Sequence, residues 1–251
     1  MMNGAAFWFG GDGNRMGYPD VSKFHPAGSK LGGTYGKIEW GKVIPPNFTV
    51  QYASHMSYYE SGNHNLYFLN KLDWNKLTEI GDYNFTNQNR LRYLDANELV
   101  LPELIKIGSN CFNADNSFFN GLRKLTCPKL ISVGNSCFRS MTFSPFLFFF
   151  ANELETVGSY SFCNLINFSN DRYYGFNINF PKLRSIGANS FCSLNPIGSI
   201  DLVSLREFGE NTLTQLTPAR GVFGYGSDLS PSLLDVLKKR LPTMSHWVQR
   251  R

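Results

Sequence analysis

The chain has 251 residues, of which 42% are hydrophobic and 17% are charged, and its formal net charge is +5. This length is sufficient for a substantial core, and a mild charge without interleaved aromatic residues does not predict nucleic-acid binding. No apolar run approaches the ~18–20 residues of a membrane span, and residues 1–10 lack the features of a secretory signal peptide. We therefore expect neither nucleic-acid binding nor a membrane span. The location stays open between virion and cytoplasm.

The N-terminal segment, residues 1–60, differs in composition from the rest of the chain. It is rich in Gly, Tyr and Trp, and it has turn signals at Gly10–Gly13 and at Gly32–Gly33. Short strands are predicted at 37–44 and 48–53, on either side of Pro45 and Pro46. Two interpretations remain open: a β-rich cap on the first turn of the domain that follows, or a docking arm that anchors it to a larger assembly.

A repeat begins after this segment. Its pattern is Leu, two residues, an apolar residue, Gly, three residues and a large apolar residue. Successive glycines lie 27, 26, 24, 29 and 22 residues apart, which fits the ~20–29-residue period of leucine-rich solenoids. The six copies run from Leu77 through Gly81 to Phe85, Leu104 through Gly108 to Phe112, Leu130 through Gly134 to Phe138, Leu154 through Gly158 to Phe162, Leu183 through Gly187 to Phe191, and Leu205 through Gly209 to Leu213.

A short apolar strand precedes each of the last five copies, and a Pro-x-Leu sequence enters three of them at Pro102, Pro128 and Pro181. Because alternate residues of a strand share a face, the spacing predicts an inward pair in each rung. The expected structure is a stack of parallel rungs about 4.8 Å apart, with the Gly supplying a tight turn and the Phe filling the core. The predicted inward pairs are Leu99 and Leu101, Leu125 and Cys127, Phe149 and Ala151, Ile178 and Phe180, and Ile200 and Leu202.

In this pattern residues 66–213 resemble the BspA-like, or type-5, leucine-rich repeat family, whose repeat reads roughly Pro-x-Leu-x-x-Ile-Gly-x-x-Ala-Phe. The chain departs from it by placing Cys, Ser or Asn before the Phe, and its loops after Phe138 and Phe162 are irregular. The resemblance implies a leucine-rich-repeat solenoid with a parallel β-sheet and short turns on the other side. It also implies a binding module of the adhesin type, and it brings no catalytic residues.

The outward strand positions are the predicted partner surface. They are mostly polar, except that Phe148 and Phe150 fall in a strand that is apolar on both faces, which predicts that both faces are covered. The cover is either the loop 168–175 or an N-terminal segment of this chain, or it is a partner. The residues predicted to bind a partner are Phe148, Phe150, Asn177, Asn179 and Lys124.

The five cysteines are odd in number and form no CxxC motif, so we expect no disulfide and no metal site. Cys111 and Cys137 precede a core Phe, and Cys127 is an inward strand position, which predicts three buried thiols. Cys163 and Cys192 follow a core Phe, and their environment is left open.

The C-terminal region, residues 217–251, is predicted to cap the solenoid, which spans residues 61–216. Ser230 is a good N-cap, Pro231 suits the first helical position and Pro242 ends the helix, so we expect a helix over 231–241 that covers the last rung. The basic residues of this end are interpreted as solvated; they are Lys238, Lys239, Arg240, Arg250 and Arg251.

No motif for catalysis, phosphate binding or calcium binding is present, and His25, His55, His64 and His246 have no metal-ligand spacing. The sequence therefore predicts a protein that is not an enzyme, needs no cofactor and presents a solenoid surface to a protein or glycan. A bacteriophage virion component or an adhesin is the favoured setting. The alternatives are a cytosolic interaction scaffold or an enzyme whose active site lies on the loops.

Overall fold

The structure is a computed structural model. It describes residues 43–44, 74–84, 98–113, 124–139, 142–143, 148–164, 166–167, 178–194, 199–216 and 222–250. In these ranges there are sixteen β-strands, one 3-10 turn at Trp74–Lys76 and one α-helix, α1, at Pro231–Arg240. The strands in chain order are β1 Val43–Ile44, β2 Glu79–Ile80, β3 Glu98–Val100, β4 Lys106–Ile107, β5 Lys124–Thr126, β6 Ser132–Val133, β7 Thr142–Phe143, β8 Phe148–Phe150, β9 Thr156–Val157, β10 Ile166–Asn167, β11 Ile178–Asn179, β12 Ser185–Ile186, β13 Ile200–Leu202, β14 Glu207–Phe208, β15 Val222–Tyr225 and β16 His246–Gln249.

All pairings between these strands are parallel, as a solenoid requires. A seven-stranded sheet runs in the order β1-β2-β4-β6-β9-β12-β14, and the second strand of each motif supplies most of it. The preceding strands form a three-stranded sheet, β3-β5-β8, and a four-stranded sheet, β11-β13-β15-β16. A two-stranded sheet joins β7 to β10. The predicted leucine-rich solenoid is confirmed.

The core follows the predicted register. Each of the five inward pairs is buried, and none of their residues is more than 6% exposed. Between them runs a column of Phe rings. Phe138 and Phe162 lie 4.9 Å apart, and Phe162 and Phe191 also lie 4.9 Å apart, with nearly parallel planes. Phe112 continues the column at 5.0 Å from Phe138, whereas Phe85 lies outside the described residues. Stacked rings fill each rung, because the repeat places one Phe directly above the next.

The motif glycines have a different role from the predicted one. In the described rungs the left-handed backbone does not fall on these glycines, so the expectation that they supply a tight turn is wrong. A Cβ on Gly134 would lie 2.6 Å from the carbonyl carbon of Gly108 and 2.6 Å from the nitrogen of Ser109. Glycine is required there because the backbones of neighbouring rungs approach more closely than any side chain allows.

The left-handed conformations fall on other residues of the turn. Within the described ranges fourteen non-glycine residues have positive φ, among them the core residues Phe112, Phe138, Phe162 and Phe191. Each such residue costs roughly 1–2 kcal/mol. Hydrogen bonds that alternate in direction offset this cost: Asn110 N–H donates to Asn135 O of the next rung, and Phe112 N–H donates to Asn84 O of the preceding one.

The residue before each core Phe explains the departure from the family pattern. From the second copy on, its side chain donates to the carbonyl of the motif glycine one rung earlier. In the first copy Asn84 donates instead to Gly81 O of its own rung at 2.8 Å. Ser161 Oγ donates to Gly134 O at 2.8 Å, Thr212 Oγ1 to Gly187 O at 2.8 Å, and Cys111 Sγ to Gly81 O at 3.0 Å. Buried carbonyls need such partners. A hydroxyl or thiol at this position therefore ties neighbouring turns together, which an alanine would not do.

The cysteines divide into two groups. Cys111, Cys127 and Cys137 are buried thiols, as predicted, and burial raises the pKa of Cys127 and of Cys137 well above their usual value. Cys163 and Cys192 form a disulfide, so the prediction that the chain has none is wrong. Both follow a core Phe in successive rungs, which stacks their Cα atoms 4.7 Å apart, within bonding reach.

We expect thiol titration to reflect this division. The denatured, unreduced protein should react with three equivalents of a thiol reagent, and the reduced protein with five. The native protein at pH 8 should react slowly, because alkylation needs the thiolate and the raised pKa values of Cys127 and Cys137 disfavour it. Five reactive groups before reduction would exclude the disulfide.

The C-terminal helix closes one side of the last rung. Ser230 caps it by accepting from Leu233 N–H, as predicted, and Leu237 is buried against the core. Arg240, which we expected to be solvated, instead donates to Thr212 O at 2.9 Å and to Gly209 O at 3.4 Å. These carbonyls occupy the positions that the next turn would otherwise bond. The guanidinium therefore takes the place of the hydrogen-bond donors that a further rung would supply.

Replacing Arg240 by methionine should lower the free energy of unfolding by about 2–3 kcal/mol, because two carbonyls lose their charged donor while the apolar stem is kept. Lys239→Met is the matched control, since Lys239 is exposed on the same helix, and it should change stability by about 0.5 kcal/mol or less. Chemical denaturation of both variants measures the difference. If both variants lost the same free energy of unfolding, the positive charge of the helix end would matter and the hydrogen bonds from Arg240 would not.

Candidate partner-binding surface

The parallel register of the three-stranded sheet aligns two rows of alternate strand positions. One row is Glu98, Lys124 and Phe148, and the other is Val100, Thr126 and Phe150. The burial of Phe149 and Ala151 confirms the predicted register of this strand. The backbone of Phe148 belongs to β8, but its side chain lies outside the described residues, so only Phe150 is placed in full.

Phe150 faces outward and keeps 43% of its surface exposed, and Val100 in the same row keeps 42%. Thr126 lies between them and is half-buried. These side chains form an apolar row across three rungs. The loop 168–175, one of the covers weighed from the sequence, lies outside the described residues. The exposure of Phe150 places it where a partner can contact its ring.

Lys124 lies in the neighbouring row, where it contacts both Glu98 and the Phe150 ring. Its Nζ lies 2.6 Å from Glu98 Oε1 and 5.6 Å from the centroid of the Phe150 ring. Both members of the ion pair are well exposed, so the pair adds little stability. Its effect is local, because it holds the ammonium over the aromatic ring. The structure therefore brings together Lys124 and Phe150, two of the residues that the sequence predicted to bind a partner.

Asn179 also faces outward and is exposed, but it belongs to the four-stranded sheet, where it pairs in register with Asp201. Within the described ranges no backbone ladder joins β8 to β11. The two strands meet instead through their inward side chains, since the rings of Phe149 and Phe180 lie 5.7 Å apart. Asn177 lies outside the described residues. The predicted surface is thus divided between two sheets.

A second exposed apolar pair was missed in the sequence. Ile105 and Ile131 occupy the same position in successive rungs, immediately after the motif Leu, and each is 43% exposed. Their backbones are bonded, with Ile131 N–H donating to Ile105 O at 2.8 Å. The signal was available, because the other copies hold a polar residue here; these are Thr78, Glu155, Arg184 and Arg206.

The ion pairs could also have been predicted by aligning the repeat copies. Seven lie within the described residues; five of them join equivalent positions of neighbouring rungs, and a sixth joins Arg206 to Asp228 beyond the last motif. The seventh joins Arg250 Nε to Asp201 Oδ2 at 3.1 Å across Gly224, whose missing side chain leaves room for it. Glu103 with Lys129 at 2.8 Å shows the pattern: opposite charges stand one period apart. Exposed pairs of this kind set register more than they stabilise.

Two features are absent from the described part of the chain. Among the described residues, no three His, Cys, Asp or Glu side chains come together as metal ligands would. The described part of the chain also has no helix with the length and hydrophobicity to cross a membrane. What it does offer is a stack of solvent-facing side chains on a rigid parallel scaffold, which is the arrangement of repeat proteins that bind along their surface.

The fold defines the class of protein: a leucine-rich-repeat solenoid, an architecture that repeat proteins commonly use for binding. Residues 54–170 and 131–220 match the BspA type Leucine rich repeat region, with six copies of the repeat. The chain belongs to this family, as the motif predicted. Neither the curated proteins nor the solved structures give a significant match to it.

Proposed function

We propose that the chain is a non-catalytic recognition module and that it binds a protein partner through the outward face of the three-stranded sheet. The observation that carries the proposal is the exposed apolar row of Val100 and Phe150, beside the Lys124–Glu98 ion pair. An apolar centre with a charged rim is typical of protein interfaces, and a well-placed aromatic residue commonly contributes much of the binding energy. Phe148, Asn177 and Asn179 extend this surface in the proposal.

The setting we propose is extracytoplasmic: an adhesin-like protein, or a component of a virion. The Cys163–Cys192 disulfide supports it, because disulfides persist in oxidising surroundings and are rare in the cytosol. This observation favours an adhesin or a virion component over a cytosolic scaffold. Thiol titration of protein taken from its native source distinguishes them, since a cytosolic scaffold would arrive with five free thiols.

A glycan is the second candidate partner. The side chains that support it are the Phe150 ring with Lys124 beside it and the exposed amide of Asn179, which together provide an aromatic platform and hydrogen-bonding groups. Binding to an array of neutral and acidic glycans, compared with binding to proteins captured from the native source, separates the two partner classes. Turnover of an arrayed glycan would instead support the loop-borne enzyme.

Replacing Phe150 by serine should weaken partner binding by about 10- to 100-fold, which corresponds to about 1.4–2.8 kcal/mol, because it removes the aromatic anchor. Ile131→Ser is the matched control, since Ile131 is also 43% exposed but lies on a different face. Both variants should melt within a few degrees of wild type. If Ile131→Ser abolishes binding and Phe150→Ser does not, the partner surface is the Ile105–Ile131 ridge and the proposal is wrong.

A further inference from the structure

The solenoid ends asymmetrically. Helix α1 closes the last complete rung through Arg240, but the four-stranded sheet continues past the last motif by two strands, β15 and β16. Each has four residues, and they pair along their whole length. Among the described residues, no strand lies on the other side of β16. Within the described residues this sheet therefore has an unpaired parallel edge at β16, and natural proteins usually shield such an edge.

The backbone groups at this edge follow from the ladder. Arg250 N–H donates to Tyr225 O at 2.8 Å, and in a parallel pair every second residue bonds the same neighbour. Val248 therefore turns its N–H and C=O toward β15. Trp247 and Gln249 turn theirs away from β15, so two donors and two acceptors point out of the sheet.

We propose that β16 is a self-association edge, which pairs antiparallel with β16 of a second copy of this chain. The arrangement is symmetric about Val248. Trp247 of each copy lies opposite Gln249 of the other, and each such pair exchanges two hydrogen bonds. The two four-stranded sheets become one sheet of eight strands, and their outward faces lie on the same side.

The side chains of the edge favour a second copy as the occupant. Val248 is 40% exposed and lies opposite its own symmetry mate, which gives an apolar contact at the centre. Trp247 is half-buried and stacks on Phe223 at 4.6 Å, and its open side is covered by the second copy. Arg250 is already paired with Asp201 at 3.1 Å, so its charge does not oppose the approach.

The size of the edge sets the strength of the dimer. A four-residue strand buries far less than the ~800 Å² per partner of a stable interface. The association is therefore weak and concentration-dependent, and it becomes important where copies are held close together, as on a surface or in an assembly.

Sedimentation of the full chain over a concentration series, up to about 1 mM, tests this. Wild type should move from monomer toward dimer. Gln249→Pro should weaken the dimer at least about tenfold, because it removes an outward N–H, while the bonds from Val248 and Arg250 to β15 are kept. Gln249→Ala keeps the N–H and is the matched control, with association close to wild type. Dimerisation that survives Gln249→Pro unchanged would overturn the proposal.

A covalent trap gives a readout that does not depend on affinity. Val248 and its symmetry mate form a non-hydrogen-bonded pair with Cα atoms about 4.5 Å apart, which suits a disulfide. Val248→Cys should therefore form a reducible dimer on mild oxidation. His246→Cys, on the same strand, lies opposite Arg250 and should not. Equal cross-linking of both variants, or none with Val248→Cys, would overturn the register.

Pairing of β16 with a strand other than a second copy is the alternative outcome, and it is measurable. A soluble peptide of alternating Thr and Val, added to wild type, probes it through hydrogen exchange of the Trp247 and Gln249 amides. If the chain stays monomeric and the peptide protects these amides, β16 is a peptide-binding edge and the second copy is not its occupant.

Discussion

Replacing Gly134 by alanine should lower the free energy of unfolding by at least about 3 kcal/mol, one of the largest effects expected of a single methyl group in this chain. The added Cβ would lie 2.6 Å from backbone atoms of both Gly108 and Ser109. No side chain can rotate away to relieve these contacts, so the rungs on either side must separate. Urea denaturation of the variant, followed by circular dichroism, measures the loss.

A control variant distinguishes two reasons for a glycine in this turn: close contact between neighbouring rungs and a positive φ. Ser136 lies two residues later with φ of 55°, a conformation that glycine adopts without strain. Ser136→Gly should therefore be neutral or stabilise by about 0.5–1 kcal/mol. If Gly134→Ala were tolerated while Ser136→Gly destabilised the protein, the close approach of neighbouring rungs would not be the reason for the glycine.

The core could be predicted from the sequence because the repeat is in phase. Once Phe138 and Phe162 are aligned one period apart, stacking puts one above the other, and the inward pairs follow from strand alternation. The role of the motif glycine could not be predicted in the same way. A recurring glycine is compatible both with a positive φ and with a close approach, and only coordinates distinguish the two.

The disulfide and the capping role of Arg240 were missed for a related reason. The odd number of cysteines argued against any disulfide. The equivalent positions of Cys163 and Cys192 in successive rungs nevertheless place them one strand spacing apart. Arg240 appeared to be one more basic residue near the end of the chain. Its role emerges only when the hydrogen-bond ladder is known, because only then are Gly209 and Thr212 seen to lack the donors of a following rung.

The candidate surface was predicted in part. Strand alternation correctly directs Phe150, Lys124 and Asn179 outward. The sequence does not reveal that Asn179 belongs to another sheet, because the break between β8 and β11 depends on backbone pairing. Phe150 and Lys124 therefore lie together at one surface, whereas Asn179 needs its own variant in any binding experiment.

Replacing Phe162 by alanine should cost about 3–5 kcal/mol through the cavity it leaves. Its ring is fully buried, and it lies 4.9 Å from both Phe138 and Phe191 and 5.4 Å from Phe149. Because each rung contacts only its neighbours, this cavity also weakens the coupling between the two halves of the solenoid. The melting temperature should fall by roughly 6–20 °C, and the transition should broaden.

Tyr160→Ala, in the same rung but 45% exposed, should cost about 1 kcal/mol or less. Similar losses in the two variants would mean that the Phe column does not hold the rungs together.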